Sequence, residues 1–234
     1  MERKDLVISG SGSASGGRYD LIKISGTGKI HGDTDCNDMA IYGIATMEGN
    51  VKAKAAHISG KARITGSLKT EQAKIHGNAR INGDVQCKQL DCHGRANVDG
   101  NVSADEVHIH GEAVIKGDCD AEQFHARGEF SIGGLLNAGT IQIKLGGHCQ
   151  AKEIGGERIE VKQQGMAFLK KLLFHVGLDA ESIEGDEIYL EHTSAKAVRG
   201  NRVTLGPGCN IEIVEYQGEF QCDPSAKVGT YKQV

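Results

Sequence analysis

Seven cysteines and ten histidines are the residues of this 234-residue chain with the chemistry to bind a metal, form disulfides or attack a substrate. Zinc sites and redox centres place such residues in short clusters, and no CxxC spacing occurs here. Cys36 and Cys87 share a phase otherwise held by Ala53, Thr70, Ala104, Ala121 and Ala138, while Cys92 and Cys119 fall where aliphatic residues recur. That company reads as small core residues carrying free thiols. His76, His93 and His110 each precede a glycine, and His57, His108 and His125 share a second phase. Converging ring nitrogens on such a ladder would suit Zn²⁺. The reading adopted is a solvated polar edge, with no metal ligand assigned. No GxSxG, P-loop or metal signature is present, so the chain carries no assigned catalytic or cofactor-binding residue and is read as a non-enzyme.

The common phase of these residues exposes the element that positions them. Gly32, Gly49, Gly66, Gly83, Gly100, Gly117 and Gly134 recur every 17 residues, and a second set from Gly26 to Gly128 keeps that interval six residues earlier. Both sets are expected at corners, where glycine tolerates φ > 0. Between them the apolar residues come in pairs spaced by two, as at Ala56, Ile58, Ala62, Ile64, Leu68 and Thr70, then Ala73, Ile75, Ala79, Ile81, Val85 and Cys87. Spacing by two is one face of a β-strand. Successive pairs start 6, 6 and 5 residues apart, so each unit reads as three short strands and three corners, one triangular coil of a β-solenoid. Stacked coils bury a face that one coil cannot.

The strict array runs from about Ile22 to Ile143, preceded by a degenerate strand at Leu6–Gly10. Beyond it, Ile154–Val161, Ile183–Leu190 and Val198–Leu205 repeat an apolar-x-Gly-x-x-apolar-x-apolar pattern and read as modified coils, with Val228 marking the last. The division expected is 1–162 regular β-helix, 163–177 an inserted amphipathic helix and 178–234 less regular β-helix. Roughly eleven or twelve coils would stack to a rod on the order of 55 Å. The helix is predicted over 166–176, where Met166, Phe168, Leu169, Leu172 and Leu173 share an arc opposite Lys170, Lys171 and His175. It either packs on the solenoid or lies on a membrane surface.

Composition narrows the function classes. Aromatics are 4% with no Trp, as suits a narrow solenoid interior, and the net charge of −4 argues against nucleic acid as a partner. Met1–Asp5 lacks the features of a signal peptide and apolar runs are too short to span a bilayer, which places the expected location in the cytoplasm. An uncapped solenoid end is a template for another chain, making Val7, Ile8 and Val228 the candidate polymerisation contacts.

The segment from Ser15 to Asp33, SGGRYDLIKISGTGKIHGD, followed by coils such as AKIHGNARINGDV at 73–85, resembles the bactofilins, bacterial polymer-forming cytoskeletal proteins. The resemblance covers about half of the chain. It implies an all-β, right-handed parallel β-helix that polymerises end to end without nucleotide or other cofactor, recruiting partners at the membrane for cell shape or motility, including flagellar assembly. Partners so implied are further copies of the chain, a co-polymerising paralogue and the membrane surface, with no small-molecule substrate. Family members commonly have flexible tails around a shorter solenoid; here coils start within ten residues of Met1 and extend past the common core. Two other readings use the same stack. A left-handed β-helix acyltransferase is opposed by the 6-6-5 spacing, which departs from the hexapeptide rule, and a secreted β-helical adhesin by the missing signal peptide.

Overall fold

In a computed structural model of the chain, residues 3–163 and 176–234 are described, and every regular element among them is a β-strand. The strands are parallel throughout and form a β-solenoid of about 13 turns, slightly more than the sequence suggested. By contacts the chain divides into two compact units, Met1–Gly117 and Asp118–Val234. The predicted helix falls almost wholly on residues outside those described.

Met1–Gly117 follows the 17-residue rule. One coil comprises Leu68–Lys69, Gln72–Ile75 and Asn78–Ile81, and the next comprises Val85–Gln86, Gln89–Cys92 and Arg95–Val98. Each strand pairs in register with its counterpart, Leu68 with Val85, Ala73 with Leu90 and Ala79 with Ala96. The inward positions expected from the alternation are buried, including Ile58, Ile64, Ile75 and Ile81 at 1% exposure or less. At about 25 cal/mol per Å² of apolar surface, this continuous aliphatic column stabilises the stack far more than any surface pair.

The glycines serve a different purpose from the one expected. Gly32 (φ +96°) and Gly49 (φ +144°) are left-handed, but of their ladder only these two carry such a φ among the described residues. For Gly43, Gly60, Gly77, Gly94 and Gly111 the constraint is close approach. A Cβ on any of them would fall inside contact distance of the carbonyl oxygen of the glycine one coil earlier. That same carbonyl accepts a backbone hydrogen bond, as in Asn78 N–H to Gly60 O at 2.9 Å. The coils therefore meet backbone to backbone at this corner, and any side chain there pushes them apart.

Asp118–Val234 keeps the stacking but not the period. Ala126 opposes Ile143 in the familiar register, Leu136 opposes Ile154, and Ile188 opposes Val203 in a coil of 15 residues. The three repeated segments of the sequence lie directly on one another: Ile154, Ile183, Val198 and Val214 form one buried ladder. Phe124 and Phe130 fill a wider section of core edge to face, 5.3 Å between ring centroids.

Candidate assembly surfaces

The corners of Met1–Gly117 carry an ordered polar ladder. The residues after Gly32, Gly49, Gly66 and Gly83 each accept a backbone hydrogen bond from the next coil. Asp33 Oδ1 takes Asn50 N–H at 2.8 Å, Asn50 Oδ1 takes Ser67 N–H at 3.0 Å, Ser67 Oγ takes Asp84 N–H at 3.1 Å and Asp84 Oδ1 takes Asn101 N–H at 2.8 Å. In the second unit Asp118 Oδ1 does the same for Leu135 N–H at 2.8 Å. In Met1–Gly117 these acceptors satisfy corner donors that lie between strands. A Gly-[Asp/Asn/Ser] dipeptide at every seventeenth residue is their sequence signal.

The histidines divide. His76, His93 and His110 stack with centroids 4.9 and 4.6 Å apart and planes within 10°, on an exposed corner. His57 does not join His108 in a second stack of the kind their phase suggested, because Lys74 and Asp91 stand between them in register. His108 Nε2 meets Glu106 and His125 Nε2 meets Gln123, each on its own strand. Among the described residues no group of three His, Cys, Asp or Glu side chains is placed to hold a metal ion.

None of the seven cysteines is in a disulfide, and six are buried. Burial pushes the Cys36, Cys87 and Cys149 thiols up to about 12, and Cys92 and Cys209 to about 11. A thiol held neutral by desolvation is neither a nucleophile nor a ready metal ligand.

The outermost strands offer a different chemistry. Among the described residues Lys4–Ile8 pairs only with Ser11–Ile24, and Lys227–Gln233 only with Asn210–Cys222. Each leaves a row of unpaired backbone groups. At the first edge, Leu6 and Ile8 take the inward register positions above Ile22 and Ile24. Val7 points the other way, in register with Lys23 and 55% exposed, so it sits on the side of the coil. The inward partner of Ile8 is thus Leu6, which sequence reasoning missed. At the last edge Val228 stands inward over Ile211 and is half-buried. Phe220 and Tyr231 occupy the inward places over Val203 and Val214. Tyr216, Phe220 and Tyr231 pack together with centroids 5.5 and 5.2 Å apart, and Tyr231 remains 64% exposed. This aromatic cluster joins the last strand to the one before it and leaves the Tyr231 ring open to a further apolar contact.

Among the corner glycines of Met1–Gly117, a Cβ on Gly49, Gly66, Gly83, Gly100 or Gly117 would come within 2.7 Å of a side-chain oxygen of the coil before, whereas Gly32 has open space at that position. The lipid-contact candidates Met166, Phe168, Leu169, Leu172 and Leu173 lie outside the described residues. No described helix is long and apolar enough to cross a membrane.

Comparison with known proteins supplies the rest. A family model described as "Bactofilin: Polymer-forming cytoskeletal" matches residues 2–86, 62–137 and 78–154. The chain is 65% identical over 227 residues to the uncharacterized protein YhbE of Bacillus subtilis (strain 168), covering 96% of each chain. It is 44% identical over 98 residues to the uncharacterized protein YhbF of the same strain, 41% of this chain and 40% of that one. No solved structure matches.

Proposed function

This chain belongs to the bactofilin family of polymer-forming cytoskeletal proteins, and from that membership we propose that it is a non-enzymatic cytoplasmic scaffold. It self-assembles end to end without nucleotide and positions partners at the membrane for morphogenesis or motility. The observation that carries the reading is the pair of one-sided strands, Lys4–Ile8 and Lys227–Gln233, each with apolar inward residues beside a free backbone edge. A second chain stacking there would continue parallel pairing and bury Leu6, Ile8, Val228 and Tyr231. Right-handed winding is part of the same reading. A YhbF-like relative sharing about a hundred residues of coil is the kind of paralogue that would co-polymerise.

Gly10 gives a discriminating test. It heads the ladder whose members from Gly26 to Gly111 are closed to a Cβ, yet nothing lies within 4 Å of its own Cβ position. In an end-to-end stack another chain's carbonyl would fill that space. Untagged protein examined by negative-stain electron microscopy without nucleotide or metal should form filaments. Gly10→Ala and Tyr231→Glu should shorten or abolish them while leaving the far-ultraviolet circular dichroism unchanged. Short monodisperse rods from the wild type would refute intrinsic assembly.

Membrane contact through the 166–176 segment rests on its sequence pattern alone. Co-sedimentation with liposomes should fall on Leu169→Asp with Leu172→Asp; equal pelleting would refute that contact.

A further inference from the structure

A groove along the coils of Met1–Gly117 takes no part in the assembly reading. Its floor is the ladder Cys36, Ala53, Thr70 and Cys87, each a small side chain no more than 7% exposed. Because every step of the floor is small, the residues on either side stand above it as walls, enclosing a cavity of about 520 Å³. Lys52 and Lys69 lie in direct register on one wall, and Lys54 stands across the floor from them; all three are exposed. Strands in register are about 4.8 Å apart, so the Lys52 and Lys69 charges repel unless an anion lies between them.

Two of the three acids that line the groove are engaged elsewhere. Asp35 binds Arg3 at 3.2 Å and Glu71 binds Lys88 at 3.3 Å. Five cations and three acids line the groove, a local positive excess in a chain of net charge −4. Behind Lys52 and Lys69 a second hollow of about 430 Å³ adds the Arg18 guanidinium, and its one further acid, Asp33, already accepts the Asn50 N–H.

We propose that this groove binds a phosphate-bearing anion, held between the ammonium groups of Lys52, Lys54 and Lys69. Three point charges around one hollow match a group with several acceptor oxygens and more than one negative charge better than they match a single carboxylate. The phosphate could belong to a free organic phosphate or to the headgroup of an anionic lipid. An exposed site of this kind holds its ligand by screened electrostatics, so binding should weaken with added salt.

The test uses the full chain. Pyrophosphate binding is measured by isothermal titration calorimetry, and binding to phosphatidylglycerol and phosphatidylcholine vesicles by co-sedimentation. In K52Q/K54Q/K69Q the affinity for pyrophosphate should fall about tenfold or more. K61Q/K144Q/K152Q, which removes the same charge from exposed positions elsewhere, should bind as the wild type does. K52R/K54R/K69R should retain binding, which separates lost charge from lost folding. If phosphatidylglycerol pelleting follows the same variants, the headgroup is the source; if only pyrophosphate responds, a soluble phosphate is. Absence of binding to both probes, or equal losses in the two glutamine variants, overturns the proposal.

Discussion

Replacing Gly77 by alanine adds one methyl group to an exposed corner, where a surface substitution ordinarily changes little. Here the new Cβ would overlap the Gly60 carbonyl oxygen and lie 2.7 Å from the Ser59 carbonyl carbon, both backbone atoms with no rotamer to escape into. Relief requires the two coils to part by roughly 1 Å, enough to break a well-formed hydrogen bond. The bond at risk is Asn78 N–H to Gly60 O at 2.9 Å, with Gly77 N–H to Ile58 O at 3.0 Å beside it. Overpacking strain of about 1–3 kcal/mol and about 1 kcal/mol for the weakened bond oppose a gain of about 0.4–1 kcal/mol from a stiffer unfolded chain. The net cost is about 2 kcal/mol, or a fall of about 4–8 °C in Tm for a chain of this size. Gly10→Ala is the matched control, at the same corner with open space before it. It should leave the stability of dispersed protein unchanged or raise it by up to about 1 kcal/mol. Thermal and urea unfolding of the two variants side by side decide the matter. A Gly77→Ala protein within about 0.5 kcal/mol of wild type, or a Gly10→Ala protein equally weakened, would refute the close-approach argument.

Asp84→Ala removes the acceptor for Asn101 N–H and should cost about 1 kcal/mol in urea unfolding, while Asp84→Asn, which keeps a side-chain oxygen, should cost much less. At pH 8 a thiol reagent should label one cysteine per native chain quickly, the exposed Cys222. A thiol at about 12 is ionised on the order of once in 10⁴ molecules, so the buried groups should react only after denaturation, when seven are found. Hydrogen bonds from Lys116 and then Arg80 hold the Asp99 carboxyl below its usual range, and Lys29 with His31 does the same for Glu48. Carboxyls lowered on folding contribute stability that is present above their unfolded values near pH 4 and lost as pH falls through the folded ones. Calorimetry should therefore show Tm constant from pH 7 to about 5 and falling below about 4, with a shallower fall in Asp99→Asn.

The strands and core of Met1–Gly117 were legible because two independent signals coincide there. Alternation by two names the inward residues, and the 17-residue interval says which of them stack, so Ile58 on Ile75 and Ala79 on Ala96 follow directly. The role of the glycines was not legible, since an interval shows that no side chain is tolerated and not whether torsion or contact forbids it. Asp33, Asn50, Ser67 and Asp84 escaped notice because a polar residue at a corner looks the same whether it faces water or staples two coils. Val7 illustrates the limit of an apolar-residue argument at a strand end, where a shift of one position turns the side chain from the aperture to the flank. In Asp118–Val234 the coils shorten and lengthen, so no single interval could align them; only the repeated Ile183 and Val198 motifs preserved the register. The lysines of the groove look like ordinary solvated positions until the small floor between them is seen in three dimensions.

In-register stacking makes the length of Met1–Gly117 a counted quantity. Gln72 and Gln89 are neighbours whose amides meet at 3.2 Å, and every residue that follows each of them has its equivalent in the other coil. Excising residues 72–88 would set Leu90 where Ala73 was, Cys92 where Ile75 was and Val98 where Ile81 was, each an inward residue replacing another. The shortened protein would close its ranks with one rung fewer, whereas removal of a single residue would turn every later side chain inside out. Such a molecule can be edited like a ruler, in whole graduations of about 4.8 Å, and gene duplication of one coil would lengthen it by the same mark without any new packing having to be invented.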